Sequence, residues 1–215
     1  MRFHVTSKED LSRLAPGARV DFDLRVSKHE SSARNVRVRE TKLEGVNVAP
    51  PANRVAVGAP VPDFSLTDQA GRAVRLSDFR GRVVALDFIY TRCPLPDVCP
   101  RLSANFAYVA KKLPDVQLLS ITIDPQFDTP PVLAGYARRY GANGESWRFL
   151  TGPMDQIRDV AGLFGLIYWP EDGSITHTVA TAVIGRDGRL AALIEGSTYR
   201  PDQLRDLVEH TESMK

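Results

Sequence analysis

The chain has 215 residues, enough for one generous domain, or one domain with a small companion. Apolar residues make up 43% and charged residues 25%, which suits a globular protein with a substantial core, and the net charge of +2 is too balanced for a dedicated nucleic-acid binder. No apolar run approaches the ~18 residues a membrane-spanning helix requires. The start, MRFHVTSKED, lacks the layout of a signal peptide, so the expectation is a cytoplasmic protein or a chain whose true N-terminus is missing. Two cysteines are too few for a disulfide-stapled scaffold and must be judged by where they stand.

In chain order, residues 1–45 read as a small β-rich segment. Arg2 to Thr6 is a candidate strand, and Lys8 to Leu14 a short helical turn ending at Pro16-Gly17. Arg19 to Val26 alternates so that Val20, Phe22, Leu24 and Val26 share one face, and Asn35 to Arg39 repeats that pattern more weakly. Residues 46–60, with Pro50, Pro51 and Pro60, read as an extended linker. The domain expected over 61–215 alternates strand and helix. Val83 to Tyr90 and Val116 to Ile123 are nearly continuous apolar runs, as in strands buried on both faces. Arg101 to Leu113, Thr129 to Tyr140 and Met154 to Phe164 carry helical spacing, with Trp147 to Leu150 a short strand between the last two. Ala180 to Ile184 and Leu190 to Glu195 flank a Gly185-Arg186-Asp187-Gly188 turn, and Pro201 opens a final helix to Glu209. This order predicts an α/β domain with a thioredoxin-like mixed sheet flanked by helices.

The chemistry concentrates in Tyr90-Thr91-Arg92-Cys93-Pro94-Leu95-Pro96-Asp97-Val98-Cys99-Pro100. Both cysteines lie in one loop from a buried strand to a helix, outside the strand's carboxyl end, where open α/β sheets place their sites. Pro94 and Pro96 keep the intervening residues out of helix, so the loop can curl the sulfurs together. Pro100 suits the first helical position, which puts Cys99 at or near the N-cap, where the helix dipole favours thiolate. Two such thiolates can form a disulfide, exchange electrons or bind a soft metal. The five-residue spacing is not that of the redox Cys-x-x-Cys motif.

A third ligand separates these uses. His4 and His29 belong to the N-terminal segment and His210 to the final helix, whereas His177 enters the hairpin strand expected beside the cysteine loop. No proline lies between Pro170 and Pro201, so the cis-proline that thioredoxin-type oxidoreductases set against their cysteines has no counterpart. Two thiolates and an imidazole make a soft, low-coordinate set suited to Cu(I), and to Cu(II) with one added ligand. A structural zinc site usually has a fourth protein ligand, and iron–sulfur clusters need more cysteines.

Residues from Val61 onward resemble the Sco/SenC family of copper-binding, thioredoxin-fold proteins associated with cytochrome c oxidase assembly. The resemblance is carried in order by VPDFSLTDQAGRAVRLSDFRGR, FIYTRCP…CP, SITIDPQFDTPPVLAGYARRYGA, WRFLTG, and the histidine before a strand and a DG turn. It implies Cys93, Cys99 and His177 as copper ligands, with Asp124 supporting them from the IDP turn. It also implies a cytochrome c oxidase copper-site subunit or another copper-transfer protein as partner, and a place in the cell envelope facing the periplasm. The usual family spacing is Cys-x-x-x-Cys, and this loop carries two more residues. Some family members act as thiol-disulfide reductases, which keeps a redox Cys93–Cys99 disulfide as the alternative function. A peroxidase fits less well, since the Pro-x-x-x-Thr-x-x-Cys loop of such enzymes would need proline where Asp87 stands. Residues 1–45 resemble the tail of a CusF-type copper-binding barrel through Met1-Arg2-Phe3-His4-Val5, the short helix and Pro16 to Phe22, with Met1 and His4 as the remaining metal-binding candidates.

Overall fold

The computed structural model describes residues 4–5, 7–12, 14, 19–27, 31–40, 53–142, 144–171 and 174–214. The N-terminal segment holds β1 (His4–Val5), α1 (Lys8–Ser12), β2 (Arg19–Val26) and β3 (Ser31–Glu40). These strands form a sheet of order β1-β3-β2, with β1 parallel and β2 antiparallel to β3. Only half of the expected apolar face of β2 is covered: Val20 and Phe22 are half-buried, while Leu24 and Val26 are exposed. A register shift between Asp21 and Asp23 breaks the alternation along this edge strand. Met1 and the side chain of His4 fall outside the described residues, as does the linker up to residue 52.

From residue 53 the chain lies along the main domain. Val55 is buried and donates its N–H to Leu163 O, and Gly58 N–H and Leu190 N–H bond Leu190 O and Ala59 O. The main domain continues with β4 (Ser65–Asp68), β5 (Ala73–Arg75), a 3-10 turn (Leu76–Phe79), β6 (Val84–Ile89), α2 (Cys99–Lys112), β7 (Gln117–Thr122), α3 (Pro130–Tyr140), β8 (Trp147–Thr151), α4 (Met154–Leu163), β9 (Tyr168–Glu171), β10 (Ser174–His177), β11 (Ala180–Ile184), β12 (Leu190–Glu195) and α5 (Pro201–Ser213). Seven strands form one mixed sheet of order β12-β11-β6-β7-β8-β4-β5. β6, β7 and β8 run parallel at its centre, and the outer pairs are antiparallel. Every residue of β6 and β7 is buried, as their unbroken apolar runs demand once helices cover the sheet. The β4–β5 hairpin was not expected; four and three residues are too few to show a period.

The helices follow local chemistry. α3 begins with two prolines in its first turn, where missing N–H groups cost nothing, and ends on Gly141 at φ 75°, a left-handed conformation that glycine reaches without penalty. α2 packs against α5 and α3. Beneath it Phe106, Trp147, Phe149 and Tyr136 form a chain of tilted and edge-on ring contacts with centroids 5.0–6.1 Å apart. Among the described residues no helix is long and apolar enough to cross a membrane. The consequence for the site is positional: β6 delivers the cysteine loop, β7 the Asp124 loop, and β10 His177, all from the core of one sheet or its immediate flank.

Candidate metal centre

The chain leaves β6 at Tyr90 and turns at once, with Cys93 N–H donating to Tyr90 O at 3.2 Å. Leu95 and Val98 are buried, Val98 N–H donates to Leu95 O at 3.2 Å, and the Ser197 hydroxyl donates to Asp97 O at 2.8 Å. The longer cysteine loop is therefore pinned by two apolar anchors and a hydrogen bond. α2 starts at Cys99 itself, with Val98 as its cap and Pro100 in the first turn. Cys99 thus lies one residue inside the position that Pro100 suggested.

Both cysteines are free thiols, Cys93 half-buried and Cys99 with no exposed surface. They interact directly: a hydrogen bond from the Cys99 thiol holds the Cys93 thiol well below the ordinary cysteine range. Burial pushes Cys99 the other way, well above that range. The sequence pointed to Cys99 as the thiolate on the strength of the helix start. Complete desolvation outweighs the helix dipole, and Cys93 is the sulfur poised to ionise. The Tyr90 hydroxyl also supports the charged form of Cys93.

Two carboxylates from the β7–α3 loop grip the residues before Cys93. Asp128, fully buried, accepts the Thr91 N–H on Oδ2 at 3.0 Å and the Thr91 hydroxyl on Oδ1. Asp124 Oδ2 accepts Arg92 Nε at 2.6 Å, and the Arg92 guanidinium lies 4.8 Å from the centroid of Phe127. Asp124 therefore braces the loop through Arg92.

His177 ends β10, which pairs with β9 in a separate two-stranded ribbon, and is not yet in the hairpin strand the sequence suggested. It is fully buried, and its Nδ1 lies 2.7 Å from Thr178 O. A carbonyl can only accept, so the proton belongs on Nδ1 and the lone pair on Nε2, the tautomer a metal would use. Burial lowers its pKa to about 4, which keeps the ring neutral. The Tyr90 ring stands edge-on to it, with centroids 5.7 Å apart.

The structure thus brings Cys93 and Cys99 together and braces them with Asp124. It leaves His177 outside a closed ligand cluster: among the described residues no three His, Cys, Asp or Glu side chains are assembled around one point. The donor types nonetheless suit a soft ion, and Tyr90 links the two halves by touching both. Sequence reasoning missed Tyr90 and Asp128. It met Asp87, at the centre of β6, only as a mismatch to a peroxidase loop; that residue pairs in register with Ser120 and Thr181. Asp87 is fully buried, neither of its oxygens has a hydrogen-bond partner in good geometry among the described residues, and burial raises its pKa to about 7. A charged residue interrupting an apolar strand was the available signal. Next to the loop, a cavity of about 370 Å³ opens between Val98, Phe164, Ile167, Val179 and Ser197.

Comparison with known proteins matches residues 55–212 to the family described as SCO1/SenC. A SCO1 protein homolog of Bacillus subtilis is 30% identical over 149 residues, covering 66% of this chain and 76% of that protein. Among solved structures, BsSco, described as a member of the Sco family of cytochrome c oxidase assembly proteins with a disulfide switch, superposes with a TM-score of 0.63 at 29% identity, covering 77% of this chain and 97% of that one. Bradyrhizobium japonicum ScoI, solved with copper bound, gives a TM-score of 0.57 at 26% identity, with 72% and 98% covered. The chain spans from half to three quarters of the length of the first curated relatives it matches.

Proposed function

The chain belongs to the SCO1/SenC family, and from that premise we propose that it is a copper carrier, holding the ion through Cys93, Cys99 and His177 and delivering it to a copper centre of cytochrome c oxidase. The observation that carries this reading is the pair of unlike thiols in one pinned loop, with a neutral, Nδ1-protonated imidazole behind Tyr90. Copper is cargo here, and it leaves by ligand exchange: the acceptor's donors replace Cys93 first, because that sulfur alone reaches the surface. The cavity beside Val98 and Val179 offers the acceptor room next to the leaving ligands. Closing the three-ligand set requires His177 and the sulfurs to approach each other, so metal binding is coupled to movement around Tyr90. The cell envelope, on its periplasmic side, is the proposed place of action by family likeness.

The test is an anaerobic Cu(I) titration of the reduced protein against a competing chelator, on wild type, Cys93→Ala, Cys99→Ala and His177→Ala. One tight equivalent, absent in both cysteine variants and weakened in His177→Ala, is expected. One-to-one binding retained by a cysteine variant defeats the thiolate pair, and unchanged affinity in His177→Ala removes the imidazole from the set.

Asp87 favours a second reading, a thiol-disulfide reductant of oxidase cysteines. A carboxyl whose pKa burial raises to about 7, in the strand that delivers the loop and close enough to Cys99 to act on its thiol, suits dithiol chemistry. In the same titration that reading predicts weak or absent copper binding and ready formation of a reducible Cys93–Cys99 disulfide.

A further inference from the structure

We infer that Asp128 is the positioning residue of this site: its buried carboxylate fixes Thr91, and through Thr91 sets where the Cys93 sulfur stands when copper is taken up or given away. The inference rests on the copper reading for its cargo but on the geometry of this chain for its mechanism. Asp128 has no exposed surface and accepts three hydrogen bonds, from Thr91 N–H, Thr91 Oγ1 and, at 2.5 Å, Thr122 Oγ1. The Thr122 hydroxyl is itself an acceptor, taking the Asp124 N–H at 3.0 Å, so its own proton is directed at Asp128. The carboxylate is held from behind as well. Phe127 and Asp128 N–H groups both return to Asp124 O, at 3.0 and 2.8 Å, and α3 begins two residues further on with Pro130.

A side chain this well anchored transmits force in one direction, to the cysteine loop. Thr91 is bonded at both its amide and its hydroxyl, and it precedes Cys93 by two residues inside the turn closed by Cys93 N–H to Tyr90 O. The far end of the loop is already anchored by buried Leu95 and Val98. The remaining freedom of Cys93 is rotation about the Tyr90–Cys93 turn, and that is the freedom Asp128 removes. Joining two loops needs only neutral partners. A fully desolvated carboxylate is costly unless every bond it makes is kept, so it is a device for rigid placement.

The experiment compares Asp128→Ala, Asp128→Asn and Thr91→Val with wild type. Three readouts are taken: Cu(I) affinity, the sulfur-to-Cu(II) charge-transfer band, and, on metal-free reduced protein, the rate of Cys93–Cys99 disulfide formation with oxidised glutathione. Thermal melting records the fold separately. Loss of an outer support is expected to weaken metal binding roughly 10- to 100-fold in Asp128→Ala, to move the charge-transfer band, and to change the disulfide rate. Asp128→Asn, which keeps an acceptor oxygen for the Thr91 amide, should recover most of each. Thr91→Val keeps the amide bond and loses the hydroxyl bond, so it should fall between, and it carries the test if Asp128→Ala does not fold. Wild-type affinity, spectrum and disulfide rate in the folded variants, even with lowered melting temperatures, would overturn the inference by making Asp128 only a strut. If wild type binds no copper while the disulfide rate still shifts in the variants, the copper reading fails and the positioning role stands.

Discussion

The two halves of the site are built to opposite specifications. On the cysteine side the loop between Tyr90 and Cys99 is tied at five residues: Thr91 to Asp128, Arg92 to Asp124, Leu95 and Val98 into the core, Asp97 to Ser197. On the histidine side, His177 hangs at the end of a two-stranded ribbon that is not part of the main sheet, with its ring held by the adjacent Thr178 carbonyl and flanked by Tyr90. For the proposed copper carrier, the cysteines are presented in advance, whereas the imidazole must be recruited. A carrier benefits from that asymmetry. Thiols placed in advance supply affinity without ordering cost. A histidine that must move to complete the set keeps the grip below that of three fixed ligands, so that an acceptor reaching Cys93 can take the ion.

The contrast extends to charge, and the largest expected effect lies there. Two buried groups bias stability in opposite directions. An unfolded chain protonates His177 near pH 6.5, but the folded one holds it neutral down to about 4, so stability falls as pH drops through that window, by about 3 kcal/mol in all. Asp87 is raised from 3.8 to about 7. The unfolded chain releases that proton first, and stability falls as pH rises across the interval, by about 4 kcal/mol. Asp128, also pushed up by burial, slopes the same way as Asp87. Urea midpoints of the metal-free protein between pH 4.5 and 7 should therefore vary little in wild type. Asp87→Asn should make them fall toward acid, and His177→Gln should make them fall toward neutrality. Parallel profiles for all three proteins would mean that these groups are not desolvated as described.

A smaller effect separates the two thiols. In reduced, metal-free protein, iodoacetamide should label one cysteine at least ~10-fold faster than the other at neutral pH, because the thiolate is the nucleophile. Peptide mass spectrometry should assign the fast site to Cys93, with a rate midpoint shifted below the ordinary value toward about 6. Equal labelling would contradict the division between a poised outer sulfur and a buried inner one.

Much of this was legible in the residues. The apolar runs of β6 and β7, the helices after them, the proline-bracketed cysteine loop and the turn at Gly185 to Gly188 all follow from period, length and turn chemistry, and the structure reproduces them within a residue or two. What was not legible depends on partners far away in sequence. Asp87 acquires meaning only from its register with Ser120 and Thr181, and Asp128 only because parallel pairing of β6 and β7 sets the two strand-end loops side by side. Tyr90 reads as the last apolar residue of a strand until His177 meets its ring. The β9–β10 ribbon escaped because Pro170 and the short Ser174–His177 segment carry no usable alternation. In the N-terminal sheet the alternation was clear and half misleading, since among the described residues nothing covers the far end of an edge strand that carries a register shift.

The smallest expected effect distinguishes the two carboxylates of the clamp. Asp124 and Arg92 make a 2.6 Å ion pair, yet the arginine side chain is 46% exposed and the aspartate only 7%. An ion pair with one partner in water contributes little to stability. The asymmetry of burial still predicts an order: Arg92→Gln strands a nearly buried carboxylate and should cost more than Asp124→Asn, which frees an arginine that water can solvate. Neither should move the copper charge-transfer band as far as Asp128→Ala, because Asp124 holds a side chain while Asp128 holds the backbone that carries Cys93. Chemical denaturation and the copper spectrum of the three variants, taken together, check this. If Asp124→Asn disturbs the spectrum as much as Asp128→Ala, the loop is positioned through the Arg92 side chain, and the division of labour between the two carboxylates is the reverse of the one drawn from their hydrogen bonds.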